Sequence, residues 1–236
     1  MIREAIILAG GLGTRLRSVV QELPKCMAPV AGRPFISYVT DYFLQEGIER
    51  FIFALGYKSE YFEEFLHNHL PAGSYRLSIE GEPLGTGGAI RLACESVEDR
   101  HVMVLNGDTF FRVSPKELSA FHEEQAAQCT LCLKPMEDFD RYGVVELDKD
   151  HRVTHFREKQ YYASGLINGG VYALDSVRFL EEGLPEKFSF EKDYLERFYQ
   201  SRRMSGLVQN GYFIDIGIPT DYEKAQQDFA NTNRQL

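Results

Sequence analysis

The sequence contains no long apolar run. None of its apolar stretches approaches the roughly 20 residues that a membrane-spanning helix requires. The chain starts with Met1, Ile2, Arg3 and Glu4 and passes directly into an apolar, strand-like segment, a pattern unlike a signal peptide. We therefore expect no membrane association and a cytoplasmic location.

Basic residues are too few for a protein that binds nucleic acid or anionic membranes in general. Lysine and arginine number 26 against 35 aspartates and glutamates, which gives a formal net charge of -9. A chain of this charge repels polyanions over most of its surface. We predict no nucleic-acid partner, and an anionic ligand would have to be met by local cations and by a metal ion.

Cysteine and histidine also provide no clear metal or redox site. The four cysteines are Cys26, Cys94, Cys129 and Cys132, and the last two form a CxxC motif. That motif lies in an apolar, β-prone segment, where residues three apart point to opposite faces of a strand. We therefore expect core thiols, as is usual in a reducing cytosol. The six histidines form no convincing ligand set.

Composition and pattern predict one compact α/β domain. The 236 residues are 44% hydrophobic and 13% aromatic, which is sufficient for one large core. No linker, internal repeat or low-complexity segment is evident. We predict a single domain over residues 1–236, with two halves, about 1–134 and about 135–236, that share one continuous sheet. Ligands would then lie across the carboxyl ends of its strands.

Alternating strands and helices in the first half predict a mostly parallel central sheet, with helices on both faces in a Rossmann-like three-layer sandwich. A hairpin over Val144–Leu147 and Val153–Phe156 marks a change of pattern in the second half. Predicted helices start after Ser59, Ser114 and Ser189 and behind a capping box at Thr220. Later strands are predicted at Gly170–Leu174 and Phe213–Ile216.

A glycine-rich segment follows the first strand and carries Gly10, Gly11, Gly13 and then Arg15, with Lys25 a short way downstream. Glycines let backbone N–H groups approach a polyphosphate, and the two basic side chains supply the cations that such a ligand requires. The segment therefore predicts a nucleotide-phosphate site. A glycine-rich turn with a surface arginine is the structural alternative.

Two better-known phosphate loops are excluded. The Walker loop requires Gly-Lys followed by Ser or Thr, and neither Gly-Lys-Ser nor Gly-Lys-Thr occurs in the chain. The dinucleotide-binding loop requires a third small residue, and Leu16 occupies that place. The phosphate site must therefore be of another kind.

The motifs GGLGTRL and PKCMAPVAGRP resemble the signature of the sugar-1-phosphate nucleotidyltransferases, with Cys26 where a proline is common. The resemblance continues through GEPLGTGGAI, VLNGDTFF, DRYGVVELD, REKQ, GLINGGVYAL and YFIDIGIPTDY. It implies a GT-A-like nucleotidyltransferase fold with a nucleotide-binding first half and a sugar-binding second half. It also implies an enzyme that transfers a nucleoside monophosphate from an NTP to a sugar 1-phosphate.

Two aspartates are the candidate ligands of a metal ion. Asp108 directly follows a buried strand, where a lone carboxylate suits Mg²⁺, although an aspartate after a strand is commonly only a turn residue. Asp215 follows another apolar strand. The resemblance implies that both hold Mg²⁺, that Lys25 lies against the reacting α-phosphate and that Arg15 holds the leaving pyrophosphate.

The resemblance also implies a set of nucleotide-binding residues. Glu82 and the backbone near Leu8 would read the base, and a carboxylate at Glu82 could accept hydrogen bonds from N1–H and the 2-amino group of guanine, which favours GTP. The full predicted set is Leu8, Ala9, Gly10, Gly11, Gly13, Thr14, Arg15, Lys25, Glu82, Gly87 and Asp108.

A separate set would bind the sugar phosphate. The resemblance implies that Lys159 contacts the phosphate and Glu158 the sugar hydroxyls, yet neighbours on a strand point to opposite sides, so a local kink is required. Glu191 and Asp193 lie near the start of a predicted helix, and favourable interaction with the helix dipole explains them as well as a role in the sugar site would. The full predicted set is Tyr142, Gly143, Glu158, Lys159, Asn168 and Gly169.

Three other functions stay open. A uridylyltransferase acting on an amino-sugar or muramic-acid phosphate would use the same machinery. A glycosyltransferase typically has an Asp-x-Asp pair, and Asn106 stands where the first carboxylate would be. A non-catalytic binding module would have little use for both carboxylates and both lysines. Assembly into a homo-oligomer is left open by the sequence.

Overall fold

The computed structural model describes residues 1–11, 23–56 and 59–232. Within this part of the chain the strands are β1 (Glu4–Leu8), β2 (Pro29–Val30), β3 (Arg33–Pro34), β4 (Arg50–Leu55), β5 (Tyr75–Ile79), β6 (His101–Asn106), β7 (Thr109–Phe111), β8 (Cys129–Phe139), β9 (Val144–Leu147), β10 (Val153–Arg157), β11 (Tyr162–Asp175), β12 (Met204–Val208) and β13 (Phe213–Asp215).

The helices alternate with the strands through the first half, as predicted. They are α1 (Phe35–Gln45), α2 (Glu60–His69), α3 (Gly85–Cys94), α4 (Pro115–Glu124), α5 (Ser176–Glu181), α6 (Glu196–Phe198) and α7 (Pro219–Thr232), with a π-helix at Phe190–Leu195 directly before α6. Among the described helices, none has both the length and the apolar character to cross a bilayer.

One nine-stranded sheet carries strands from both halves of the chain. Its first-half strands lie in the order β5-β4-β1-β6, and all three pairings between them are parallel. Strand β11 pairs antiparallel with β8 along one edge and with β6 and β9 along the other, and β12 runs parallel to β8. The predicted α/β class with a mostly parallel central sheet is confirmed, and the second half adds the antiparallel pairings.

The sheet separates two apolar cores. Successive residues of a strand point to opposite faces, and β1 accordingly sends Ile7 into one core and Ile6 into the other. Helices α1, α2, α4 and α7 cover the Ile7 side, whereas α3, α5 and the π-helix cover the Ile6 side. The predicted three layers follow from this arrangement.

The cysteines are buried free thiols, as predicted. Cys129 and Cys132 lie on β8 and belong to the two different cores, so the CxxC pair is divided by the sheet. Burial raises the pKa of Cys26 and of Cys94 to about 12. A neutral thiol in an apolar environment is a packing residue rather than a nucleophile.

Two details differ from the sequence-based expectations. The strand at Phe213–Asp215 lies outside the central sheet and forms a separate antiparallel ribbon with β7. The prediction of a capping box at Thr220 is wrong, because α7 already begins at Pro219, a residue suited to the first helical turn. The helix start after Ser114 is confirmed, since Ser114 Oγ caps it by accepting a hydrogen bond of 3.3 Å from the backbone N–H of Glu117.

Candidate active site

Two neighbouring cavities open at the carboxyl ends of β1 and β6. The larger has a volume of about 570 Å³ and is lined mainly by the second half of the chain. The smaller has a volume of about 360 Å³ and is lined mainly by the first half. Asn106 and Glu191 line both cavities, so the two spaces adjoin. This is the edge of the sheet at which an α/β fold of this kind binds its ligands.

The smaller cavity contains most of the predicted nucleotide-binding residues that the structure describes. Leu8, Ala9, Gly10, Gly11, Lys25 and Asp108 line it. Among the described residues, no atom lies within 4 Å of the place that a Cβ at Gly11 would take. The remaining predicted residues of this segment, Gly13, Thr14 and Arg15, lie outside the described residues.

Glycines allow the strand ends around the smaller cavity to approach closely. A Cβ at Gly10 would lie 3.0 Å from the backbone nitrogen of Gly56, just beyond β4. A Cβ at Gly107 would lie 2.7 Å from the carbonyl oxygen of Leu8, which also accepts a 2.9 Å hydrogen bond from the backbone N–H of Gly107. Larger residues at either position would separate the ends of β1, β4 and β6.

Lys25 lies between the two predicted metal ligands. Its Nζ forms an ion pair with Asp108 Oδ2 and lies 3.5 Å from Asp215 Oδ1. The lysine is carried on a short 3-10 turn over Lys25–Met27. The three side chains are partly buried, with exposed fractions of 16% for Lys25, 35% for Asp108 and 21% for Asp215. Lys25 and the two carboxylates are thus concentrated where the cavities meet, and Arg141 Nη2 lies 4.0 Å from Asp215 Oδ2.

The ribbon of β7 and β13 explains why these aspartates are close. Its register places Asp215 opposite Thr109, the residue after Asp108. The ribbon is continued by a 3.0 Å hydrogen bond from the backbone N–H of Ile216 to the carbonyl oxygen of Asp108. Two carboxylates more than 100 residues apart therefore belong to one rigid unit.

The second oxygen of each carboxylate is also held. Asp215 Oδ1 accepts a 2.7 Å hydrogen bond from the backbone N–H of Gly217, and Asp215 Oδ2 accepts one of 3.5 Å from the Tyr142 hydroxyl. Thr109 Oγ1 donates to Asp108 Oδ1 at 3.4 Å. These contacts fix the orientation of the carboxylates before any ligand arrives.

The charge balance at this point fits a divalent cation. Burial and the neighbouring charge of Asp108 raise the pKa of Asp215, which means that Lys25, Arg141 and the backbone N–H of Gly217 compensate its ionised form only in part. Within the described residues, no group of three or more His, Cys, Asp or Glu side chains could hold a metal. Two carboxylates beside a cavity open to phosphate and water are the ligand set that suits Mg²⁺, so Asp108 and Asp215 fit the predicted ion.

Two predicted nucleotide contacts lie away from the smaller cavity. Glu82 is exposed and is not part of the cavity wall, whereas Glu80 is. Gly87 is buried and does not line the cavity, and a Cβ there would overlap the ring of Phe188. Glycine at this position therefore has a packing reason, and the ligand contacts of Glu82 and Gly87 stay predictions.

All six predicted sugar-phosphate residues line the larger cavity: Tyr142, Gly143, Glu158, Lys159, Asn168 and Gly169. Strand β10 ends at Arg157, so the alternation of a strand does not apply to Glu158 and Lys159, and both reach the same cavity. A Cβ at Gly143 would overlap the carbonyl oxygen of Arg157. Their contacts with a sugar phosphate stay predictions.

Asn168 presents an amide that the protein itself orients. Its Nδ2 donates a 2.8 Å hydrogen bond to the Tyr172 hydroxyl, and its Oδ1 accepts one of 3.1 Å from the backbone N–H of Gly170. Gly170 has a φ of +69°, which favours glycine, and a Cβ there would lie 2.6 Å from Asn106 Nδ2. The asparagine side chain is thus rigid at the cavity wall.

Sequence reasoning did not assign several polar residues that line the two cavities, among them four of the smaller one. Glu80, Thr86, Asn106 and Glu191 line the smaller cavity. Asn106 could have been found, because it ends the same strand that leads to Asp108. Glu191 lies in a π-helix, a local structure that occurs often at functional sites but has no simple sequence signal.

Comparisons with known proteins agree with this geometry. The family model described as "Nucleotidyl transferase" matches residues 4–232. The chain is 48% identical to D-glycero-alpha-D-manno-heptose 1-phosphate guanylyltransferase of Aneurinibacillus thermoaerophilus, with 97% of this chain and 99% of the relative covered. It is 43% identical to the protein of the same name from Campylobacter jejuni subsp. jejuni serotype O:2, with coverages of 93% and 96%.

A solved structure leads to the same family. The crystal structure of HddC from Yersinia pseudotuberculosis complexed with GMP-PN superimposes with a TM-score of 0.87 at 37% identity, covering 97% of this chain and 100% of that one. The family match spans nearly the whole chain, and the relatives are matched over nearly their whole lengths. The chain therefore belongs to the nucleotidyl transferase family.

Proposed function

We propose that the protein transfers GMP from GTP to D-glycero-α-D-manno-heptose 1-phosphate and forms GDP-heptose and pyrophosphate. The observation that carries this proposal is the meeting of two cavities at Lys25, Asp108 and Asp215. A nucleotide in the smaller cavity and a sugar phosphate in the larger one would bring their phosphates together there. The names of the two guanylyltransferase relatives and the GMP-PN complex support the choice of substrates.

The reaction needs positioning and charge neutralisation more than proton transfer. An oxygen of the sugar's phosphate attacks the α-phosphorus of GTP and forms a new P–O bond. The bond from the α-phosphorus to the α–β bridging oxygen breaks, and its electron pair leaves with pyrophosphate. The nucleophile is already an anion, so no general base is required.

The basic side chains bind different phosphate groups. Lys25 Nζ stabilises the charge that develops at the α-phosphate, because this amino group lies where the two cavities meet. Lys159, on the wall of the larger cavity, binds the attacking phosphate. Arg15 would hold the pyrophosphate, and it lies outside the described residues.

Asp108 and Asp215 would hold Mg²⁺. When bound, the ion supplies positive charge that offsets the phosphate groups of the two substrates. The aspartates are held at fixed orientation by Thr109, Gly217 and Tyr142. Lys25 and Arg141 together face three carboxylates, those of Asp108, Asp215 and Asp221, which leaves the site with a net negative charge that attracts a divalent cation.

Guanine recognition is assigned to Glu80 together with the backbone around Gly10. Glu80 lines the smaller cavity, and its Oε2 accepts a 2.9 Å hydrogen bond from the backbone N–H of Leu84. Guanine presents two adjacent donors, N1–H and the 2-amino group, which match a carboxylate, whereas uracil presents one such donor. This difference favours GTP over UTP.

A substrate panel tests the proposed function. The protein is incubated with Mg²⁺, each of the four NTPs and a series of hexose and heptose 1-phosphates, and pyrophosphate release is measured. We expect the highest kcat/KM with GTP and the manno-configured heptose 1-phosphate. A preference for UTP with an amino-sugar phosphate, or no pyrophosphate release with any pair, would overturn the proposal.

The Glu80→Gln variant tests base recognition. We expect kcat/KM with GTP to fall about 10- to 100-fold, because a hydrogen bond to a charged group contributes about 1.5–3 kcal/mol. Activity with UTP should change much less. The matched control is Glu82→Gln, which makes the same chemical change at an exposed position two residues away. A loss of GTP preference in Glu82→Gln alone would assign the base contact to Glu82 and contradict the assignment to Glu80.

A further inference from the structure

Glu191 lies at the boundary of the two cavities and is one of two residues that line both. It is the second residue of the π-helix Phe190–Leu195, and it is partly buried. Interaction with a helix dipole would explain an exposed carboxylate at this place in the sequence. It does not explain why the side chain stands between two substrate cavities.

Hydroxyl groups from both halves of the protein anchor one oxygen of Glu191. Thr86 Oγ1, at the start of α3, donates a 2.8 Å hydrogen bond to Glu191 Oε2. Ser189 Oγ lies 3.2 Å from the same oxygen and donates to it. Thr86 Oγ1 in turn accepts a 2.9 Å hydrogen bond from the backbone N–H of Phe190. The carboxylate is therefore held against the wall of the smaller cavity.

Backbone hydrogen bonds fix the same two segments to each other. The N–H of Gly87 donates to the carbonyl oxygen of Phe188 at 3.0 Å, and the N–H of Phe188 donates to the carbonyl oxygen of Leu84 at 3.0 Å. The Phe188 ring fills the space that a side chain at Gly87 would need. The segment carrying Glu191 and the loop that begins α3 thus form one rigid unit.

The other oxygen of Glu191 is available to a ligand. Among residues 1–11, 23–56 and 59–232, no hydrogen bond reaches Glu191 Oε1 and no lysine or arginine pairs with this carboxylate. An ionised carboxylate accepts hydrogen bonds only, and hydroxyl groups are the donors that both substrates carry. A phosphate oxygen would be repelled.

We propose that Glu191 is a substrate-binding residue, whose free oxygen accepts a hydrogen bond from a substrate hydroxyl where the nucleotide and the sugar meet. This inference rests on the proposed function and adds a contact to it. The hydroxyl belongs either to the ribose of GTP or to the sugar of the second substrate. Both sources present the same chemistry, and deoxy analogues distinguish them.

The test compares the wild type with Glu191→Gln, a variant of the same size that lacks the charge. With the two natural substrates, we expect kcat/KM to fall about 10- to 100-fold, as for loss of a charge-assisted hydrogen bond. The decisive measurement uses 2′-deoxyGTP, 3′-deoxyGTP and sugar 1-phosphates that each lack one hydroxyl. For the analogue that lacks the contacted hydroxyl, wild type and variant should have equal kcat/KM, because the interaction is already absent.

If wild type and Glu191→Gln have equal kcat/KM with one of the deoxyGTP analogues, the contact is with the ribose. If they have equal kcat/KM with one of the deoxy sugar phosphates, the contact is with the sugar. An unchanged kcat/KM in Glu191→Gln, or the same loss with every analogue, would overturn the proposal, since the latter indicates only a structural effect. Asp193→Asn is the control, because Asp193 Oδ2 accepts from the backbone N–H of Ser189 at 2.8 Å and lines neither cavity. It should retain the analogue profile of the wild type.

Binding measurements separate this inference from the proposed function. The affinities of GTP, the deoxy analogues and the sugar phosphates for wild type and Glu191→Gln are measured by calorimetry, without turnover. A wild type that releases no pyrophosphate would contradict the proposed function. Equal weakening of every ligand by Glu191→Gln, or no weakening at all, would contradict the role of Glu191.

Discussion

Lys25→Ala is expected to lower kcat/KM for GTP and the sugar 1-phosphate by about 10²–10³, as removal of one transition-state charge contact commonly does. Lys25 Nζ pairs with Asp108 and lies 3.5 Å from Asp215, so the change removes the ammonium group that lies where the cavities meet. The fold should be retained, because Lys25 lies on a short turn beside the cavity. Circular dichroism and thermal unfolding check this expectation.

The variant must distinguish two roles of the lysine. If Lys25 only neutralises Asp108 and Asp215, raising the Mg²⁺ concentration should restore turnover to Lys25→Ala. If it stabilises the reacting α-phosphate, the loss should persist at saturating Mg²⁺ and saturating substrates, and we expect this result. Lys116→Ala, which removes an exposed lysine from α4, is the matched control and should keep wild-type activity. Near-normal turnover of Lys25→Ala would refute its role.

Asp108→Asn and Asp215→Asn are each expected to reduce kcat by about 10²–10³ and to raise the Mg²⁺ concentration needed for half-maximal activity. An amide keeps the shape of the side chain but removes the charge that binds the ion. Because both residues would hold one metal, the double variant should lose little more activity than either single variant.

Direct metal binding provides the independent readout for these variants. Mn²⁺ binding followed by electron paramagnetic resonance should weaken in both Asp108→Asn and Asp215→Asn. Asp150→Asn, in the exposed turn between β9 and β10, is the isosteric control and should bind Mn²⁺ like the wild type. Unchanged Mn²⁺ affinity in both active-site variants would show that these aspartates do not form the metal site.

The sequence predicted the parts of the fold that depend on local pattern. Alternation of apolar strands and amphipathic helices was sufficient for the parallel arrangement of β1, β4, β5 and β6. The separation of Cys129 from Cys132 followed from the two-residue period of a strand. Strand pairing over long separations was not predictable in this way, and the ribbon of β7 with β13 was missed for that reason.

The same limit applies to the site. Asp108 and Asp215 could be proposed from their places after apolar strands, but only the register of the ribbon explains why both approach Lys25. The difficulty at Glu158 and Lys159 arose because strand alternation was extended beyond Arg157, where β10 ends. Glu80 is partly buried and lines the cavity, whereas Glu82, two residues later in the same loop, is exposed. No periodic pattern in the sequence reveals this difference, because a loop has no regular repeat.

Glu191 illustrates a contact that depends on tertiary structure alone. Its partner Thr86 is more than 100 residues away, and the two meet because the segment around Phe188 pairs with the loop that begins α3. Nothing in the local sequence of either segment specifies that pairing. A carboxylate at a helix start therefore has no evident function until the fold is known.

The most direct measurement is a crystal structure of the protein with a non-hydrolysable GTP analogue, Mg²⁺ and the heptose 1-phosphate. We expect the nucleotide in the smaller cavity, the sugar phosphate in the larger one and the α-phosphate against Lys25 Nζ, with the metal on Asp108 and Asp215. Either ligand bound outside its cavity, or a metal held by other residues, would contradict the arrangement on which the reaction depends.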